Sequence, residues 1–67
     1  MYTNFEVKIL SNESEVKDLL MNVSTDYQED FLLDDIVFVT LDNSNLSKLK
    51  SIAPYIILNE ETFAYQL

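Results

Sequence analysis

The chain has 67 residues, enough for one domain and no second, and it contains no Cys, no His and no Gly. These absences exclude disulfides, thiolate–metal staples, a histidine proton shuttle and glycine-lined phosphate loops. Twelve acidic residues against four Lys give a net charge of −8, which speaks against direct binding to nucleic acid or to an anionic membrane and favours attraction to a basic protein surface.

The apolar fraction, 48%, is high enough for a folded core despite the charge. A domain of this size buries only about 60% of its unfolded surface, so a partner or a second copy is the remaining route to extra burial. Met1 to Glu6 lacks the basic and apolar regions of a signal peptide. The longest nearly apolar run, Ile36 to Leu41, is too short to cross a bilayer. With the missing Cys, this predicts a cytoplasmic protein. Asn-x-Ser triplets at Asn12, Asn22 and Asn45 would accept glycans only after secretion, and two of them suit helix starts instead.

Phe5, Val7 and Ile9 alternate with Glu6 and Lys8, the pattern of a strand with one buried face. Ser11 or Asn12 then begins a helix. Asn12 with Glu15 resembles a capping box, and Glu13 and Glu15 suit the positive end of the helix dipole. Val16, Leu19, Leu20 and Val23 form one apolar stripe. Ser24 to Asp35 is an acidic stretch holding Tyr27, Phe31, Leu32 and Leu33, readable as a short helix or an irregular loop.

Ile36 to Leu41 has no polar alternation, as expected of a central strand covered on both faces. Asp42-Asn43-Ser44-Asn45 is a turn and N-cap cluster. Leu46, Leu49 and Ile52, with Ala53, predict a short second helix, with Lys48 and Lys50 at its favourable end and Pro54 as its stop. Tyr55 to Leu58 reads as a third strand, Asn59-Glu60-Glu61 as a tight turn, and Thr62 to Leu67 as a fourth strand closing a hairpin.

Chemistry is sparse. Asp34, Asp35 and Asp42 flank a strand and suggest at most a Mg²⁺ site, but a solvated strand end explains them better. Asp42-x-Ser44 opens like a calcium loop, yet Leu46 and the missing Gly and final Glu break that pattern. The serines (Ser11, Ser14, Ser24, Ser44, Ser47, Ser51) have no His to activate them and no Gly for a nucleophile elbow. No enzyme activity, cofactor or metal is expected.

The carboxylates carry the main functional signal. Asp26, Glu29, Asp30, Asp34 and Asp35 crowd one stretch, and Glu13, Glu15 and Asp18 form a second group on the first helix. One reading is a solvated surface that keeps a small protein soluble. The other is a negative face imitating nucleic-acid phosphates, which are spaced ~3.4 Å along each strand of a duplex. Tyr2, Tyr27, Tyr55, Tyr65, Phe31 and Phe63 are numerous, and most belong in a core. Phe63 and Tyr65 share one face of the last hairpin with Leu67 and become an interface candidate if nothing covers them.

Ser51-Ile52-Ala53-Pro54-Tyr55-Ile56-Ile57-Leu58-Asn59 resembles the cis-proline strand of the thioredoxin fold, nearest to a glutaredoxin. Phe5 to Leu10 followed by Ser11-Asn12-Glu13-Ser14 is similar to that family's first strand and active-site turn, with Ser11 and Ser14 near the places of its cysteines. The resemblance implies a β-α-β-α-β-β domain whose first strand and second strand are parallel. Dithiol exchange does not carry over without cysteine. The missing Gly pair puts glutathione binding in doubt, and the family's C-terminal helix has no counterpart here.

The expected fold is therefore α/β: a small β-α-β-α-β-β domain spanning residues 1–67, thioredoxin-like without the C-terminal helix. Its four-stranded mixed sheet would have one helix on each face and a right-handed first crossover. A ferredoxin-like or irregular α+β arrangement, with residues 26–33 as a third helix, is the alternative. The expected function is a non-enzymatic inhibitor or modulator, in the style of phage or mobile-element proteins, docking on the basic, nucleic-acid-binding surface of a host protein. Its contact residues would be Glu13, Glu15, Asp18, Asp26, Glu29, Asp30, Asp34 and Asp35. A redox-inactive thioredoxin-like adaptor, or a homodimeric module, binding through Phe63 and Tyr65 is the second reading.

Overall fold

A computed structural model describes residues 1–61. The strand expected over Thr62 to Leu67, with Phe63 and Tyr65, lies outside the described residues. Five regular elements follow one another among the described residues: β1 (Tyr2–Ile9), α1 (Glu13–Val23), β2 (Asp26–Glu29), β3 (Ile36–Asp42) and β4 (Ile56–Glu60). Between β3 and β4 run a long 3₁₀ helix, Asn43–Ser51, and a short 3₁₀ turn, Ala53–Tyr55.

The alternation in β1 does what its period requires. Val7 and Ile9 enter the core, Phe5 packs against it, and Lys8 faces solvent. The α1 stripe is equally faithful: Val16 and Leu20 are fully buried, with Leu19 and Val23 packed at the margin. Its start differs from the expected capping box. Asn12 stands at the N-cap in the left-handed conformation, φ 55° and ψ 44°, and its side chain makes no capping hydrogen bond. Asn tolerates that backbone better than most residues, so the position selects Asn for its φ rather than for its amide.

Ser24 to Asp35 holds no helix, so residues 26–33 form no third one; it is a short strand followed by the irregular turn that the loop reading allowed. Asp26–Glu29 is a strand paired antiparallel with β3, in the register Tyr27 opposite Val39 and Glu29 opposite Val37. The Asp30 carboxylate then accepts from the backbone N–H groups of Leu32 and Leu33, at 2.8 and 3.0 Å, and turns the chain into β3. Only Tyr27 of this strand points an apolar group at the core, so period-2 patterning had almost nothing to register.

That hairpin overturns the expected mixed sheet. The strand order is β2-β3-β1-β4, and every pairing among the described residues is antiparallel. α1 returns the chain so that β2 runs alongside β1 in direction, and the hairpin reverses it once more, leaving β3 antiparallel to β1. One unrecognised strand flips the direction of the next. The parallel first crossover and its handedness therefore do not apply to the pair β1 and β3. With its interposed neighbours, this order is the split β-α-β arrangement of ferredoxin-like domains, its second helix replaced by 3₁₀ turns.

One helix on each face is also corrected. Val7, Ile9, Val37, Val39 and Leu41 of the sheet share one cluster with Val16 and Leu20 of α1 and with Leu49 and Ile52 of the 3₁₀ region. Both helical layers thus cover the same face. On the other face Phe38 and Thr40 of β3 are half-buried and Asn59 and Ile57 of β4 are exposed, so β3 is not sandwiched. Its apolar run reflects β propensity and lateral neighbours as much as burial.

The expected second helix forms as 3₁₀ rather than α. Its start falls within the expected cap cluster, at Asp42, which accepts from the N–H of Ser44 at 3.1 Å, while the Asn45 amide donates to the Val23 carbonyl instead. The Asn- and Ser-rich sequence that follows competes for backbone hydrogen bonds and has weak α propensity. Pro54 sits in the short 3₁₀ turn, and every described peptide bond is trans. Asn59 and Glu60 extend β4 beside Glu6 and Phe5, where a tight turn was expected.

Candidate protein-binding surface

The acidic residues do not form one face; the fold sorts them. Glu13 on the first turn of α1 and Glu29 at the end of β2 converge on Lys17. The Lys17 Nζ lies 2.9 Å from Glu13 Oε2 and 3.8 Å from Glu29 Oε1, with its side chain only 15% exposed. The hydrogen bond to Glu13 holds the ammonium pKa above its ordinary value. Partial burial opposes that shift, while the charges of Glu13, Glu29 and Asp34 add to it.

Tyr27 ties the strand into the same group. Its phenol donates to Glu29 Oε2 at 3.0 Å. Burial of the ring drives the phenol pKa well above its ordinary value. The bond to Glu29 and the charges of Glu29, Glu13 and Asp18 push it the same way. Glu13 and Glu29 therefore meet in one patch whose cation is Lys17, and the charges of Asp34 and Asp18 reach Lys17 and Tyr27 respectively. Helix, strand and turn each contribute to it.

The other expected contact residues go elsewhere. Glu15 borders a shallow cleft with Asn12, Leu19, Ser51 and Tyr55 on the 3₁₀ side of α1. Asp26 lies beside Asn4, Gln28 and Thr40 on the open face of the sheet. Asp30 is engaged in its own turn. Asp35 is half-buried, and its carbonyl accepts from the N–H of Ile9 at 2.7 Å. Phe63 and Tyr65 lie outside the described residues.

The Mg²⁺ idea fails on distance. Asp34 and Asp35 precede β3 and Asp42 ends it, and a strand of this length separates them by roughly 20 Å. Asp42 is already capping Ser44, which holds its carboxyl below the ordinary carboxylate value. Among the described residues no set of three or more metal-ligating side chains converges. No helix among them is long and apolar enough to cross a membrane.

Sequence reasoning missed the tip of the β2–β3 hairpin. Phe31 is 95% exposed, Leu32 80% and Leu33 54%, against the expectation that most aromatic residues are core. The signal was present: three consecutive apolar residues with no 2.0 or 3.6 period, between Glu29-Asp30 and Asp34-Asp35. Such a run, flanked by carboxylates on both sides, is shorter than the roughly four to eight residues of a buried strand. No family model, curated protein or solved structure matches the chain.

Proposed function

We propose that this protein is a non-catalytic binding module that lays its acidic α1–β2 patch on a basic surface of another protein, of the kind that contacts nucleic acid, and so inhibits or modulates it. The observation that carries the reading is the closure of Glu13 and Glu29 on Lys17, with Glu29 also accepting from Tyr27, and the charges of Asp18 and Asp34 acting on Tyr27 and Lys17 respectively. Carboxylates in excess of the one cation they surround make a local negative potential that steers a cationic partner. The fold by itself assigns no activity, since ferredoxin-like architecture hosts many. The chain's composition supports binding over catalysis, because it offers no His or Cys to serve as base or nucleophile.

The test starts with immobilised protein and a cell lysate washed at low and then high salt, followed by affinity measurement with the recovered partner. The triple variant Glu13→Lys, Asp18→Lys, Asp34→Lys is expected to weaken binding at least about tenfold at low salt, with the loss shrinking as salt screens the field. Glu15→Lys with Asp26→Lys, on the other surfaces, is expected to change little. Equal effects of the two variants would show that only net charge matters, and no effect of the triple variant would refute the patch. Glu29 is kept out of the set because it holds Tyr27.

A further inference from the structure

We infer that Phe31-Leu32-Leu33 is a preformed apolar plug that seats in an apolar pocket rimmed by Lys or Arg on the protein partner, the acidic patch serving to steer it there. This rests on the reading of the protein as an acidic binding module, and names the anchor that module uses.

Exposed apolar residues on a small domain are ordinarily scattered, and a contiguous set marks a contact surface. Here three stand in a row, at 95%, 80% and 54% exposure, while Ile36 immediately after the turn is buried at 7%. All three lie in the turn between β2 and β3.

The tip is also held in shape. Asp30 accepts from the N–H groups of Leu32 and Leu33, and the N–H of Asp30 donates to the Ile36 carbonyl at 3.0 Å. The N–H of Ile36 donates to the Leu33 carbonyl at 3.4 Å. A plug ordered before contact loses less conformational entropy on binding than a loose loop does.

Charge selects the occupant. Glu29, Asp30, Asp34 and Asp35 flank the apolar residues, and no Lys occurs between Lys17 and Lys48. A hydrophobic pocket with a cationic rim complements this arrangement at centre and edge, the usual anatomy of a protein interface. Anionic lipid would be repelled by the same carboxylates. A second copy carries the same net charge of −8, although it does offer an apolar groove lined by Phe5, Leu46, Leu49, Ala53, Ile56 and Leu58 beside Lys50.

The experiment places the photo-crosslinking residue p-benzoyl-phenylalanine at position 31 of the full chain, irradiates it in lysate, and maps the adduct. The expected result is one saturable protein adduct, displaced by excess native chain and lost when Leu32→Asp is added. Its crosslinked peptide should lie in an apolar pocket bordered by Lys or Arg. The same crosslinker at Ile57, on the open sheet face, should not label that pocket. An adduct with a second copy, one indifferent to Leu32→Asp, or no saturable adduct overturns the proposal. So does co-sedimentation of the native chain with phosphatidylcholine–phosphatidylserine vesicles that Leu32→Asp abolishes.

With the purified partner, Phe31→Ser with Leu32→Ser is expected to weaken binding about 30-fold or more, as for an interface hot spot. Unchanged circular dichroism and unfolding midpoint would confirm that the variant still folds, as the exposure of both side chains implies. If that variant binds as tightly as the native chain while the Glu13, Asp18 and Asp34 reversal abolishes binding, the plug is wrong and the acidic patch stands. The opposite pattern leaves the plug and removes the patch.

Discussion

Tyr27 is the residue through which the fold and the proposed surface are most directly joined. Its ring packs against the core while its hydroxyl donates to Glu29 inside an acidic patch. The folded state therefore holds the phenolic proton more tightly than the unfolded chain, whose phenol has the ordinary value of 10.0. Stability from this group is whole below about that pH and is lost as pH rises through the higher folded value. Lys17, raised from 10.5, acts in the same direction. The native protein is expected to lose thermal stability above pH 10.0, and Tyr27→Phe to lose less of it over the same range. Ultraviolet titration should show a late-ionising phenol that disappears in the variant. Parallel alkaline melting curves for the two proteins would contradict the placement of Tyr27. Sequence placed Tyr27 among acidic residues, but its contact with Glu29 needed the strand.

At the scale of elements, the start of α1 separates two causes that look alike in sequence. A side-chain cap and a left-handed backbone both favour Asn at position 12, and only the second is present. The two diverge for serine, which caps helices well but has no special tolerance of positive φ. Asn12→Ser is expected to lower unfolding stability by about 1 kcal/mol, measured by urea titration, while Asn12→Gly stays close to native. An Asn12→Ser variant as stable as the native chain would restore the capping reading. At the other helical start, the cluster Asp42 to Asn45 was legible as a cap because the bond from Ser44 to Asp42 spans two residues. Local hydrogen bonds of that kind are written in local sequence. The β2 strand was not, because a short edge strand shows one core residue and otherwise reads as loop.

For the whole molecule the governing quantity is the net charge of −8 on a small domain. Self-repulsion of that size opposes compaction, and the patch around Lys17 concentrates it. Stability should accordingly rise with ionic strength, as the Debye length contracts from about 30 Å at 0.01 M to ~3 Å at 1 M. Sodium chloride is expected to raise the melting temperature of the native chain, and more so for Lys17→Gln, which removes the cation within the patch. Salt-independent melting would mean that the carboxylates are too far apart to interact. The same field makes partner binding salt-sensitive, whereas an apolar plug resists salt, so the two contributions separate in one titration.

The sequence alone determined the elements whose cause is local or periodic. These are the alternating β1, the stripe of Val16, Leu19, Leu20 and Val23, the apolar strand from Ile36, and the cap cluster from Asp42 to Asn45. It also determined the charge and the absence of His, Cys and Gly. Tertiary structure decided strand direction, because direction depends on the number of reversals and one short strand added a reversal. It decided that α1 and the 3₁₀ region share a face, which no single element's pattern encodes. It divided eight equivalent-looking carboxylates into a patch at Lys17, the turn residues Asp30 and Asp35, and the outliers Glu15 and Asp26. And it left Phe31 and Leu32 in solvent and Leu33 half-covered, since burial belongs to what packs opposite a side chain and not to the side chain's own polarity.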